Sequence, residues 1–169
     1  MIDMERSHMI PLLFQFQYLL QNKIVYRYKF PESTAYKKLQ FYSYGLLKER
    51  ISKIILNQFG TASPHAMTRV REFVLASKHE IAGEINVDES VFEVLLTECL
   101  LLQGNAHIFG EQLLLSMFQL GLQRYISSID QRKTKWINEG KLNTFNEKYI
   151  ELPITPSPTS YSSFYGLKY

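Results

Sequence analysis

The chain has 169 residues, of which 46% are hydrophobic and 21% are charged, so it can bury a core and does not have the composition of a disordered protein. The formal net charge of +3 is too small to indicate a partner. A single cysteine, Cys99, excludes an internal disulfide and a cysteine-based zinc site and favours a reducing compartment. No run reaches the ~18 apolar residues of a membrane helix, and no secretory signal is visible, so we predict an intracellular, cytoplasmic protein without membrane contact.

The N-terminal segment MIPLLFQFQYLL predicts a helix that begins at Pro11, because its apolar residues recur every three or four positions. The same letters also alternate, as they do in VYRYKF further on, so a hairpin that turns at QNK is the alternative. In either case IVYRYKF (24–30) is the best strand candidate. We interpret residues 1–8 as a leader or tag remnant, because RSHM resembles a cloning junction.

Four further helical stretches follow. A helix capped by Ser33 or Thr34 is predicted to end near Gly60, with Tyr42 among its inward residues. Ser63 and Pro64 mark the start of the next helix, which runs to about residue 77. A pair of helices is predicted over 78–104, and a long helix runs from about residue 105 to about residue 136 with Ile108 and Leu115 inward.

The predicted fold class is mainly α. We expect a compact bundle of about five to six helices in a single domain over residues 9–148, with the alternative of one short β-hairpin near the N-terminus. Residues 149–169 hold three prolines and many serines and threonines, which predicts an extended C-terminal tail. The tail also carries large rings, which favour docking onto a partner: Tyr161, Phe164, Tyr165 and Tyr169.

The stretch KHEIAGEINVDESVFEVLL has the spacing of a helix-turn-helix. Ala82 supplies the small residue of the first helix, Asn86 the left-handed turn position, and Asp88 the cap of the second helix. Over residues 78–104 the sequence resembles the output domain of quorum-sensing-type bacterial regulators. That resemblance implies DNA binding through the outward face of the second helix, which here is formed by Asp88, Glu89, Ser90, Glu93, Val94 and Thr97.

This predicted face departs from a DNA reader because it carries acids and no lysine or arginine, so DNA phosphates would repel it. Residues 79–112 contain seven acidic and no basic residues, whereas residues 23–53 contain eight basic and two acidic ones. If nucleic acid binds, the basic half should hold it, through Arg27, Lys29, Lys37, Lys38, Lys48 and Arg50. The two halves would also suit charge-complementary docking between copies or with a partner.

Rings interleave with these cations in VYRYKF and AYKKLQFYSY, which is the pattern of a surface for single-stranded nucleic acid. The alternative, which we favour, is a solvated helix face whose rings belong to the core. His107 and Glu111 have the spacing of two metal ligands, but no third ligand is identifiable. Cys99 is flanked by leucines and is interpreted as a core residue, and His79 as exposed.

From these patterns we predict a non-catalytic helical binding protein without a cofactor, an adaptor or subunit of a larger assembly that acts through protein partners or self-association. The apolar residues between 113 and 122 exceed one helical stripe, which favours a helix shared with another subunit. The first alternative is a nucleic-acid-binding helix-turn-helix regulator. The second is a small enzyme without a recognisable motif, for which no catalytic or metal residue can be assigned.

Overall fold

A computed structural model of the protein describes residues 2–138, with the side chains of 11–135 and 138. Within this range there are six α-helices, one turn of 3-10 helix at Arg27–Lys29, and no β-strand. The helices are α1 (Ile2–Gln21), α2 (Thr34–Gln58), α3 (Pro64–Ala76), α4 (Lys78–Glu84), α5 (Glu89–Leu101) and α6 (Asn105–Asn138). The mainly α fold class is therefore confirmed. None of these helices combines the length and apolarity needed to cross a membrane.

The predicted start of the first helix is wrong. Helix α1 begins at Ile2, and Pro11 lies inside it. A proline inside a helix removes one backbone hydrogen bond, but the preceding residues contain no glycine and no second proline that would end the helix. Pro11 therefore does not mark the start of α1.

The strand predicted over residues 24–30 and the alternative hairpin that turns at QNK are also wrong. The QNK turn ends α1: Lys23 adopts φ 54°, and the amide of Ile24 donates to the carbonyl of Leu19 at 3.0 Å. The chain then continues into the 3-10 turn, whose backbone amides are bound by a carboxylate instead of a neighbouring strand. A carboxylate from another helix therefore accepts the backbone amide hydrogen bonds that a neighbouring strand would otherwise accept.

The predicted helix caps are confirmed where the structure shows them. The hydroxyl of Ser33 accepts from the amide of Tyr36 at 3.1 Å, and that of Ser63 accepts from the amide of Ala66 at 3.1 Å. These bonds satisfy amides that have no partner inside the first helical turn. They explain why α2 and α3 begin where they do.

The described residues form two compact units. The first comprises the chain up to Leu47 together with Ser77–Phe118. Its core is built on α5, in which Phe92 and every residue from Val94 to Leu100 are buried. The ring of Phe16 stacks on that of Phe109, with centroids 5.4 Å apart and planes 3° apart. Gly110 allows the close approach of α6 to α5, because a Cβ there would lie 3.0 Å from the Cβ of Cys99.

The second unit comprises Lys48–Ala76 and the chain from Gln119 onward, described as far as Asn138. Buried aliphatic residues of α2 and α3 form its core together with the ring of Tyr125, which meets Phe73 edge-on at 5.8 Å. Gly121 of α6 packs directly against Val74 of α3. The single domain predicted over 9–148 extends past the described residues and stays a prediction.

Candidate functional site

The turn between α4 and α5 has the local geometry expected from the sequence. Asn86 adopts φ 56°, and the amide of Val87 donates to the carbonyl of Ala82 at 2.9 Å, which closes the end of α4. The carboxylate of Asp88 accepts from the amide of Ser90 at 2.9 Å and caps α5. This hydrogen bond to Ser90 also lowers the pKa of Asp88. The left-handed position and the cap are both confirmed.

Helix α5 does not present the outward face that the helix-turn-helix prediction needs along its whole length. Val94 and Thr97 are buried, and the Thr97 hydroxyl donates to the carbonyl of Glu93 at 2.8 Å. The prediction that Thr97 lies on an exposed face is therefore wrong. Beyond the cap, the exposed residues of α5 lie only at its two ends, with Glu89 and Ser90 in the first turn and Leu101 at the last position. A helix buried on most sides cannot enter the major groove along its length.

Most acids of the predicted acidic face are paired within the first unit. The Nζ of Lys78 lies 2.6 Å from Glu93, and the Nδ1 of His79 lies 2.9 Å from Glu89, so both pairs join α4 to α5. Glu111 likewise lies 3.4 Å from the ring of His107. Because Lys78 lies just outside the counted residues 79–112, its pair with Glu93 makes this surface less acidic than the sequence count implied.

The most strongly organised polar site in the first unit is the buried carboxylate of Glu98, which is 1% exposed. Its Oε1 accepts from the amide of Tyr28 at 3.0 Å. Its Oε2 accepts from the amides of Tyr26 and Arg27 at 3.0 and 3.1 Å and lies 3.3 Å from Nη1 of Arg27. Three successive amides that converge on one anion form a backbone nest. We call Glu98 with these three residues the carboxylate nest.

The carboxylate nest fixes the loop between α1 and α2 onto α5. Burial and the nearby charge of Glu98 raise the pKa of Tyr28 to about 12, so its phenol stays neutral at physiological pH. One feature of the sequence does point to this site: Glu98 is an acid inside the apolar run VLLTECLLL. A buried acid requires a partner, but the sequence does not say which segment supplies it.

The six predicted nucleic-acid-binding residues are not equivalent in the structure. Arg27 is engaged in the carboxylate nest, and Lys29 lies beside the α4–α5 turn. Lys37 and Lys38 are exposed on α2 in the first unit. Lys48 and Arg50 are half-buried and belong to the second unit.

A first groove of about 520 Å³ lies in the first unit between α1, the 3-10 turn and the α4–α5 turn. Leu13, Phe16 and Leu20 contribute apolar side chains to it, while Lys29 and Asp88 bring opposite charges. Its size falls within the usual range of small-molecule pockets. Because Lys29 lines this groove together with the α4–α5 turn, it lies beside the predicted helix-turn-helix.

A second groove of about 440 Å³ lies between α1 and α6 in the first unit. Phe14 and Tyr18 line it from α1 and Ile108 from α6, with 67%, 48% and 53% of their surfaces exposed. None of the described residues that line it is acidic or basic. We call this the α1–α6 groove. The prediction that Ile108 and Leu115 point inward is wrong, because both are exposed on α6.

The thiol and metal candidates gain no chemistry from their surroundings. His107 binds the carbonyl of Leu100 through Nδ1 at 3.0 Å. Among the described residues there is no group of three or more histidine, cysteine or acidic side chains that could hold a metal ion. Cys99 is fully buried, and this burial, reinforced by Glu98, raises the pKa of its thiol.

We expect Cys99 to be unreactive in the native protein. A thiol that is buried and protonated at neutral pH gives little thiolate for attack on a disulfide reagent. The reaction with Ellman's reagent should therefore be absent over minutes in buffer and complete after addition of denaturant. Rapid reaction of the native protein would instead identify Cys99 as accessible and reactive.

The four aromatic residues proposed for docking through the tail lie outside the described residues: Tyr161, Phe164, Tyr165 and Tyr169. Comparison with known proteins finds no matching family model, no matching curated protein and no matching solved structure.

Proposed function

We propose that this protein is a non-catalytic binding protein, an adaptor or subunit of a larger assembly, and that the α1–α6 groove is its contact surface. The observation that carries the proposal is the exposure of Phe14 and Ile108 on two helices that line one groove. Rings and aliphatic side chains that share an exposed patch are typical of interaction sites. The exposed Leu115 belongs to the apolar run 113–122 that exceeds one helical stripe, and the exposed Ile108 lies seven residues before it on the same side of α6.

The lack of charge in this groove favours self-association as the first form of contact to test. In a two-fold dimer the same patch meets itself, so any charge in its centre would face a like charge. A lining of Phe14, Gln15, Tyr18 and Ile108 avoids that repulsion. A neutral partner protein would fit the same surface.

A helix-turn-helix regulator remains the second candidate function. The left-handed Asn86 and the capping Asp88 favour it. The burial of Thr97 and Val94 weighs against it, since two residues of the proposed reading face cannot reach DNA. DNA binding would then have to rely on the first turn of α5 and on Lys29 beside it.

The double substitution Phe14→Gln with Ile108→Gln tests the proposal. Burying one such side chain contributes about 1.5–3 kcal/mol, so even the single change Phe14→Gln should weaken association about 10- to 150-fold. Sedimentation velocity over a range of concentrations should show a wild-type mass above the monomer and a monomeric double variant. Both residues are exposed, so circular dichroism should show unchanged folding.

Phe41→Gln on α2 is the matched control, because Phe41 is even more exposed but lies outside the groove. This variant should associate like the wild type. Association that survives the double substitution would contradict the assignment of the groove. A wild-type monomer at all concentrations would rule out self-association, and the groove should then crosslink to a different protein through a photoreactive residue at position 14 but not at position 41.

A further inference from the structure

Helix α2 carries an exposed surface of rings within the first unit. Phe41 is 90% exposed, Tyr44 58% and Tyr42 49%, whereas Tyr36 and Leu47 point into the core. The prediction of Tyr42 as an inward residue is therefore wrong. The favoured alternative, in which the rings belong to the core, holds for Tyr36 but not for the three exposed rings. We call the exposed set the α2 ring surface: Lys37, Lys38, Phe41, Tyr42 and Tyr44.

The two lysines are placed next to the rings by the helical repeat. Lys37 lies four residues before Phe41, and Lys38 four residues before Tyr42, so each cation is one turn from a ring on the same side of the helix. Both lysines are exposed, and no described acidic side chain pairs with either of them. The exposed positions of α2 between 34 and 45 include no aspartate or glutamate.

The side chains of the α2 ring surface favour one class of binding partner over the others. Binding to a membrane surface scales with the apolar area that is buried, but only three large hydrophobic side chains are exposed here, and two of them are tyrosines that carry a hydroxyl. An acidic face of a second copy is a weaker match, because Glu89, Glu93 and Glu98 are already paired within the first unit. Exposed rings beside unpaired cations match bases beside phosphates.

We propose that the α2 ring surface binds single-stranded nucleic acid. The rings of Phe41 and Tyr44 stack on successive bases, because they are one turn apart on the same face, and Lys37 and Lys38 contact the phosphates. Stacking on rings accepts every base, so the surface has little sequence preference. This inference is independent of the α1–α6 groove.

The test is fluorescence anisotropy with labelled oligothymidylate and oligouridylate at two salt concentrations. Loss of one stacking ring in Phe41→Gln should weaken binding about 5- to 150-fold. The double variant Lys37→Gln with Lys38→Gln should bind more weakly and with a flatter salt dependence, its logarithmic slope reduced by about 1.4 for two lost phosphate contacts. A purely structural role of these residues would not change the slope.

Two matched variants control for loss of a ring or a charge elsewhere. Phe30→Gln removes an exposed ring that lies outside both the α2 ring surface and the lining of the α1–α6 groove, and Lys53→Gln removes a lysine that is paired with Glu49 at 2.9 Å. Both should bind the oligonucleotides like the wild type. Absence of binding by the wild-type protein at low salt would overturn the inference, as would equal losses in Phe30→Gln and Phe41→Gln.

Vesicles of phosphatidylcholine with phosphatidylserine provide the remaining comparison. Phe41-dependent sedimentation with these vesicles, without oligonucleotide binding, would show that the α2 ring surface is a membrane contact and would overturn the proposal. Oligonucleotide binding that depends on Phe41 and the two lysines, with no such sedimentation, would support it. Because the α2 substitutions leave the α1–α6 groove intact, either result leaves the self-association test unaffected.

Discussion

Replacing Glu98 with alanine is expected to lower the free energy of unfolding by about 3–5 kcal/mol. The change leaves the backbone amides of Tyr26, Arg27 and Tyr28 without their acceptor in a site where the carboxylate was 1% exposed. It also frees the loop that the carboxylate nest holds on α5. Urea denaturation followed by circular dichroism measures the effect.

Two further variants separate the carboxylate from its volume and from ordinary ion pairing. Glu98→Gln keeps the volume but turns one oxygen into an amino group that faces N–H donors, so most of the loss should remain. Glu93→Gln breaks the half-exposed pair with Lys78, and pairs near the surface contribute only about 0–1 kcal/mol. If Glu98→Gln were as stable as Glu93→Gln, the carboxylate nest would not stabilise the fold.

The second large effect is expected from Gly121→Ala in α6. An added Cβ would overlap the backbone of Val74, lying 2.6 Å from its nitrogen, so α3 and α6 would have to separate. Overpacking of a buried contact costs about 1–3 kcal/mol, and here the obstacle is backbone, which cannot move aside like a side chain. Thermal unfolding should show a clear fall in Tm.

Gly45→Ala is the control for this prediction. Gly45 is also inside a helix, but a Cβ there meets nothing within 4 Å and the position is exposed. Alanine favours the helix by about 0.5–1 kcal/mol over glycine, so this variant should be slightly more stable than the wild type. Equal stability of the two alanine variants would contradict the close packing of α6 on α3.

The features that sequence reasoning predicted correctly depend on residues a few positions apart. Ser33, Ser63 and Asp88 each bind an amide two or three residues further along, so the cap needs no information about the rest of the fold. The left-handed turn at Asn86 follows from the same local preferences. The starts of these capped helices could therefore be predicted from the sequence alone.

The orientation of the helix faces was harder to predict. Helix α6 is apolar around much of its circumference, so the sequence did not say which side would meet the core, and Ile108 and Leu115 proved to be exposed. On α2, Tyr36 and Leu47 pack inward while Phe41 and Tyr42 do not. Rings are compatible with both environments, and only the neighbouring helices select between them.

The sequence by itself determined that the protein is helical, where its capped helices begin, and which turn adopts a left-handed backbone, because these depend on local hydrogen bonds and repeats. Only the tertiary structure decided the backbone conformation of the segment 24–30, whose amides donate to a carboxylate about seventy residues away. It also decided which apolar side chains stay exposed, and so where the α1–α6 groove and the α2 ring surface lie. Both outcomes depend on contacts between distant segments, which periodicity along a chain does not encode.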